Sequence, residues 1–163
     1  MSITYSTAAN NARLQACLNA TGTAAGASVN GQSGAGKLQL LTASSSVLVT
    51  FTLQQPPFSI SGGTATLLGT TLTATATGSG VAALANLLDG TNNVVGGGMT
   101  VGMGSGFDVN VSSGTLTISI GDTVNINATS YIIPPGDTPP SGGGSIVIDL
   151  GGLTDVITPG EVL

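Results

Sequence analysis

Along most of this chain, apolar and polar side chains alternate with a period of two, the spacing that a half-buried β-strand requires. Residues 37–42 and 47–53 read as the first two strands, with Val47, Val49, Phe51 and Leu53 on one face of the second. Pro56-Pro57 ends that run, because proline cannot donate to a strand ladder. Residues 58–60, then Gly62-Gly63, then 64–68 suggest another short strand and a turn. In 70–77 the alternation is strict, with Leu72, Ala74 and Ala76 on one side and Thr71, Thr73, Thr75 and Thr77 on the other. Residues 81–88 (VAALANLL) have helix-favouring composition, but their neighbours and the Asp89-Gly90 turn make them a strand. Residues 94–95, 99–103 and 107–111 follow, separated by Gly96-Gly97-Gly98 and by 104–106. Leu116, Ile118 and Ile120, then Val124, Ile126 and Ala128, continue the pattern across a Gly121-Asp122 turn towards 131–133. About eight to ten short strands at close turn spacing predict a mainly β fold, a β-sandwich or jelly roll.

The two ends of the chain depart from this period. Ser6 or Thr7 can cap a helix of about three turns running through Leu14 to Leu18, with Asn10 and Asn11 as interruptions and Asn19 to Gly22 as the stop. Residues 21–36 are rich in Gly, Ala and Ser and read as a long loop. Residues 134–145 (PPGDTPPSGGGS) have the composition of a linker, stiff at the prolines and loose at the glycines. Beyond it, Ile146, Val147, Ile148, Asp149 and Leu150 have the residues of a strand. This gives an N-terminal helical segment (1–20), a β-sandwich core (21–133) and an extended C-terminal β arm behind its linker (134–163). The arm has two fates: return to its own sheet edge, or addition to a neighbour's. The outward reach is preferred here, since the linker is long for a simple hairpin return.

Composition narrows the function more than the fold. The chain has 163 residues, enough for one domain with its own core. Charged residues make up 6%, against roughly 25% in an ordinary soluble domain. Hydrophobic residues reach 40%, aromatics only 3%, and there are 26 glycines. A surface built of Thr, Ser, Asn, Gly and Ala suits close protein–protein packing, because burying hydroxyls costs far less than burying ions. With a net charge of −5 and only Arg13 and Lys37 as cations, the chain lacks the clustered basic residues that nucleic acid demands. No apolar run of about 18 residues is present, so no membrane-spanning helix is predicted. The first residues show neither a basic start nor an apolar core, so no signal peptide is read and cytoplasmic synthesis is expected.

Candidate chemistry is sparse. There is no His and a single Cys17, so metal clusters of Cys and His and His-based triads fail on inventory. Cys17, in an apolar stretch, reads as a buried thiol. Gly31 to Lys37 spells G-x-x-x-x-G-K, but Leu38 stands where a phosphate loop needs Ser or Thr, and a strand follows where it needs a helix. Of the seven acids, Asp89 and Asp122 sit in the turn dipeptides Asp89-Gly90 and Gly121-Asp122. Paired glycosidase carboxylates would need an aromatic-lined cleft that this composition does not supply. Sequons begin at Asn19, Asn110 and Asn127, as chance predicts in a chain so rich in Asn, Ser and Thr. No enzymatic activity and no cofactor are expected.

Several segments carry a resemblance. Ile3-Thr4-Tyr5-Ser6 followed by Asn11-Ala12-Arg13-Leu14-Gln15-Ala16 resembles the opening of a family of small virion structural proteins of tailed bacteriophages. The order of Thr73 to Gly78, Leu88-Asp89-Gly90-Thr91, Gly106 to Asn110 and Ile120 to Val124 is similar as well. The likeness covers about residues 1–133, and segment 134–163 departs from it. It implies a short N-terminal helix on a β-sandwich, a place in the virion, and no catalytic residues. The function expected is capsid decoration, a cement protein that bridges major capsid subunits, itself a dimer or trimer. The alternatives are a tail-associated or head–tail joining protein, or a receptor- or glycan-binding module on a fibre. Contact residues are expected in the helix (Tyr5, Arg13, Leu14, Leu18) and in the arm (Ile146, Val147, Ile148, Leu150).

Overall fold

Ser6 is the helix cap: its Oγ accepts the amide of Ala9 at 3.2 Å, meeting one of the donors that a helix start leaves open. The structure is a computed structural model describing residues 6–20, 28–31, 34–68, 71–104, 107–127, 130–131 and 146–149. Helix α1 (Thr7–Leu14) runs into a π-helical turn, Gln15–Asn19. Asn11 within the helix and Asn19 at its end are its fasteners. Asn11 Oδ1 accepts the amide of Gly63 at 2.8 Å. Asn19 bonds both backbone groups of Phe58, donating to its carbonyl at 2.6 Å and accepting its amide at 3.3 Å.

The strands are β1 (Lys37–Leu41), β2 (Val47–Thr52), β3 (Phe58–Ser61), β4 (Thr64–Leu67), β5 (Thr71–Thr75), β6 (Gly80–Val81), β7 (Leu84–Leu88), β8 (Val94–Met103), β9 (Val109–Ser113), β10 (Thr117–Ile118), β11 (Thr123–Asn127), β12 (Ser130–Tyr131) and β13 (Ile146–Asp149). Six form one sheet in the order β13-β9-β8-β7-β1-β2. Smaller sheets β12-β4-β3, β11-β5 and β10-β6 complete a mainly β, sandwich-like fold. One hydrophobic cluster joins them: Leu38, Leu40, Val49, Phe51, Ala85 and Leu87 from the large sheet meet Ala65, Ile118, Val124 and Ile126 from the others, with Ala76 just beyond β5. The pairings β8–β9 and β9–β13 are parallel, which sets the topology apart from an antiparallel jelly roll.

Two departures from the predicted pattern, and one strand formed against its propensity, have local causes. In β2 the alternation breaks because Leu48 is an extra residue: Leu40 faces Val49 and Leu41 faces Val47. Such a bulge reverses the side-chain phase, so Leu48 is buried and Val47 is exposed. The two glycine-separated stretches 94–95 and 99–103 are one strand, β8, whose register against β7 slips so that Ala85 faces Met99 and Leu87 faces Gly96. Asn86 Oδ1 accepts the displaced Gly98 amide at 3.0 Å. The helix-like stretch 81–88 contains β7 because β1 and β8 flank it on both sides and outweigh its propensity.

The β8–β9 connection is unusually short for parallel neighbours, which normally need a dozen or more residues. Here the overlap is only Val101–Val109, Gly102–Asn110 and Met103–Val111, so the chain steps back a short way. Asp108 closes the step: its Oδ2 accepts from the amide and hydroxyl of Thr100, both at 2.8 Å, and its own amide donates to Thr100 Oγ1 at 3.1 Å. Gly102 permits it, since a Cβ there would lie 2.3 Å from the Phe107 ring.

In the β1–β2 turn, Thr42 Oγ1 accepts the Ser46 amide at 3.1 Å, and Ser45 adopts φ 65°. A side chain is disfavoured at that angle. Ser45→Gly is therefore expected to raise stability by about 0.5–1 kcal/mol, read as a higher urea midpoint with an unchanged m-value.

Candidate functional site

The predicted contact residues divide sharply. Leu14 and Leu18 do not face a partner: they are 1% and 2% exposed and belong to the core, where they seat the helix on the sheets. That correction follows from amphipathicity, since a short helix on a sandwich gives its few large apolar residues to its own core. Cys17 is the converse case: the expected buried thiol is exposed, because Leu14 and Leu18 already occupy the inward stripe. Arg13 stands on the exposed side of α1. Tyr5 and Leu150 lie outside the described residues.

Ile146, Val147 and Ile148 lie in β13, paired in parallel with Val109, Asn110 and Val111. The described part of the arm, residues 146–149, therefore returns to the chain's own sheet, against the outward reach preferred above. Strand β9 has one side on β8 and offers the other to β13, so the pairing satisfies backbone groups that would otherwise form an open edge.

The candidate motifs are absorbed by structure. Gly36 lies where a Cβ would sit 2.4 Å from Val29 Cγ1, and its carbonyl accepts the Leu53 amide at 2.9 Å. No helix follows Lys37, which begins β1 and whose Nζ donates to Asn92 Oδ1. Asp89 is fully buried beneath its own loop. Its Oδ1 accepts from the Thr91 amide (2.8 Å), the Thr91 hydroxyl (2.9 Å) and the Asn93 amide (2.9 Å), and Oδ2 accepts from Asn93 Nδ2 (3.0 Å). Burial pushes its pKa up, but the bonds from Asn93 and Thr91 together prevail and hold it below the usual carboxylate value. Asp122 Oδ2 accepts the Ser119 amide at 2.6 Å. Among the described residues, no three His, Cys, Asp or Glu side chains gather as a metal site, and no helix is long and apolar enough to cross a membrane.

What the strands present outward is a set of uncharged polar rows. Thr73 and Thr75 on β5 face Asn125 and Thr123 on β11, and Thr73 Oγ1 donates to Asn125 Oδ1 at 2.7 Å. Ser59 on β3 faces Thr66 on β4, both exposed. On the large sheet Thr50, Gln39 and Asn86 align across β2, β1 and β7, with Gln39 Nε2 donating to Thr50 Oγ1 at 3.1 Å. Such rows can exchange hydrogen bonds with another polypeptide, and covering them desolvates no ions. Nothing in them is arranged to move a proton. The row pattern was legible in the strict Thr alternation; which rows face outward was not. Compared with known proteins, the chain matches no protein-family model, no curated protein and no solved structure at a significant level.

Proposed function

We propose that this chain is a structural virion protein that decorates and reinforces a bacteriophage capsid by bridging neighbouring subunits, without catalysis. The observation that carries the reading is the exposed surface of neutral hydroxyl and amide rows on a β scaffold. A seam between shell subunits must be covered over a large area, and a surface with few ions can be covered at little desolvation cost. The resemblance of the N-terminal and turn segments to small tailed-phage virion proteins supports the same assignment. The major capsid protein, or another virion subunit, is the partner, and the virion surface is the location.

The test is the copy number in purified particles of the phage that encodes the chain, measured by quantitative gel. A number in fixed ratio to the major capsid protein is expected. A few copies that leave with the tails would instead make it a neck or tail protein, and its absence from particles would overturn the virion reading altogether.

A further inference from the structure

Six large apolar side chains stand exposed among the described residues: Val47, Val81, Val94, Met103, Phe107 and Ile120. The strand register gathers five of them at one end of the sandwich. Leu41, the last residue of β1, faces Val47, the first of β2, and also Leu84, the first of β7. Leu84 in turn faces Thr100, near the end of β8, so Met103 and the ring of Phe107 against Gly102 lie at this same end. Val81 precedes β7 and faces Thr117 on β10. Ile120 joins them through its amide, which donates to Ser79 Oγ at 2.8 Å. Only Val94 stands apart. It faces Leu88, which pairs with Lys37 at the opposite end of the sheet.

The strand-end segments named above carry charge of one sign. Asp108 and Asp122 both belong to them, while the β1–β2 turn, β6, the β8–β9 loop and the β10–β11 turn contain no Lys or Arg. Both carboxylates are fixed by backbone amides, Asp108 on Thr100 and Asp122 on Ser119. Exposed apolar side chains with held anionic groups at the same end have the ingredients of a protein contact, in which charge beside apolar surface selects the partner.

We infer that this end of the sandwich is the docking face for a different protein, whose surface is apolar at the centre and carries Lys or Arg around it. A second copy of the chain does not fit. Two copies meeting end to end would bring four carboxylates together with no cation between them. This deepens the reading of a shell-binding protein, and rests on it for the statement that the partner is a virion subunit.

The experiment titrates phage heads assembled without the protein with purified full-length chain, and reads the bound fraction by co-sedimentation. Val81→Glu and Ile120→Glu act at side chains 54% and 69% exposed, so the fold should tolerate them; the milder Ile120→Ser is carried beside them. Each is expected to weaken binding by about tenfold or more, while Val94→Glu, at the far end, leaves it unchanged. Wild-type binding is expected to fall as salt is raised. Wild-type chain that binds heads while Val81→Glu and Ile120→Glu bind equally well overturns the docking face and leaves the virion reading intact. Wild-type chain that binds no particle overturns both. A free dimer that Ile120→Ser dissociates overturns the assignment of a different protein as occupant.

Discussion

Phe51→Ala is expected to lower stability by about 3–5 kcal/mol, the largest loss from any single truncation in this core. Phe51 is 0% exposed and is the largest fully buried side chain. It sits opposite Leu38 on β1 and faces the cluster that also holds Val49, Leu40 and Ala85. The chain has only three phenylalanines and no tryptophan, and apart from Phe58 the rest of this core is Leu, Val, Ile and Ala, whose small side chains fill little of the void. A domain of this kind holds about 5–15 kcal/mol in total, so this one change removes a large share of it. Urea unfolding followed by circular dichroism measures the loss. Phe107→Ala, at a ring 39% exposed, should cost far less. Equal losses at the two positions would mean that the core does not close around Phe51.

The second large effect is at Asp89, and it depends on pH. Asp89→Ala removes the acceptor of four hydrogen bonds within one five-residue loop and is expected to cost about 2–4 kcal/mol near neutral pH. The loop joins β7 to β8 at the heart of the large sheet, so the damage is not confined to a surface turn. Folding depresses the carboxyl's pKa below its ordinary 3.8. The stabilisation from its ionised form is therefore fully present above that value and is lost as pH falls through the lower, folded-state value. The stability gap between wild type and Asp89→Ala should hold constant from neutral pH down to mild acid, then narrow in stronger acid. A gap that widened on acidification would show that the protonated form, not the carboxylate, organises the loop.

The local signals in the chain were enough for its class and several of its details. A period of two is a property of the strand itself, so β content and the Thr rows could be read residue by residue, and the helix cap could be narrowed to Ser6 or Thr7. The turn at Asp89-Gly90 was equally legible, because Asp bonds to backbone groups two and four residues ahead. The scarcity of charge, the lone thiol and the lack of imidazole likewise set the class of function expected, since inventory needs no geometry.

Pairing and phase needed the tertiary structure. Periodicity says that a strand has two faces but not where an extra residue will invert them, and the bulge at Leu48 is set by what β1 requires of β2. The same holds for the helix. Its spacing offers Leu14, Cys17 and Leu18, and only contact with the sheets decides that the leucines go in and the thiol stays out. Strand β8 is one piece because Asn86 on its neighbour captures the Gly98 amide, a contact twelve residues away in sequence. Strand β13 closes on β9 because an open edge is satisfied at whatever sequence distance its complement lies. What the sequence by itself determined was the period, the turns and the available chemistry, because each depends on near neighbours. Which residues are covered, and by which strand, was decided only when distant segments met.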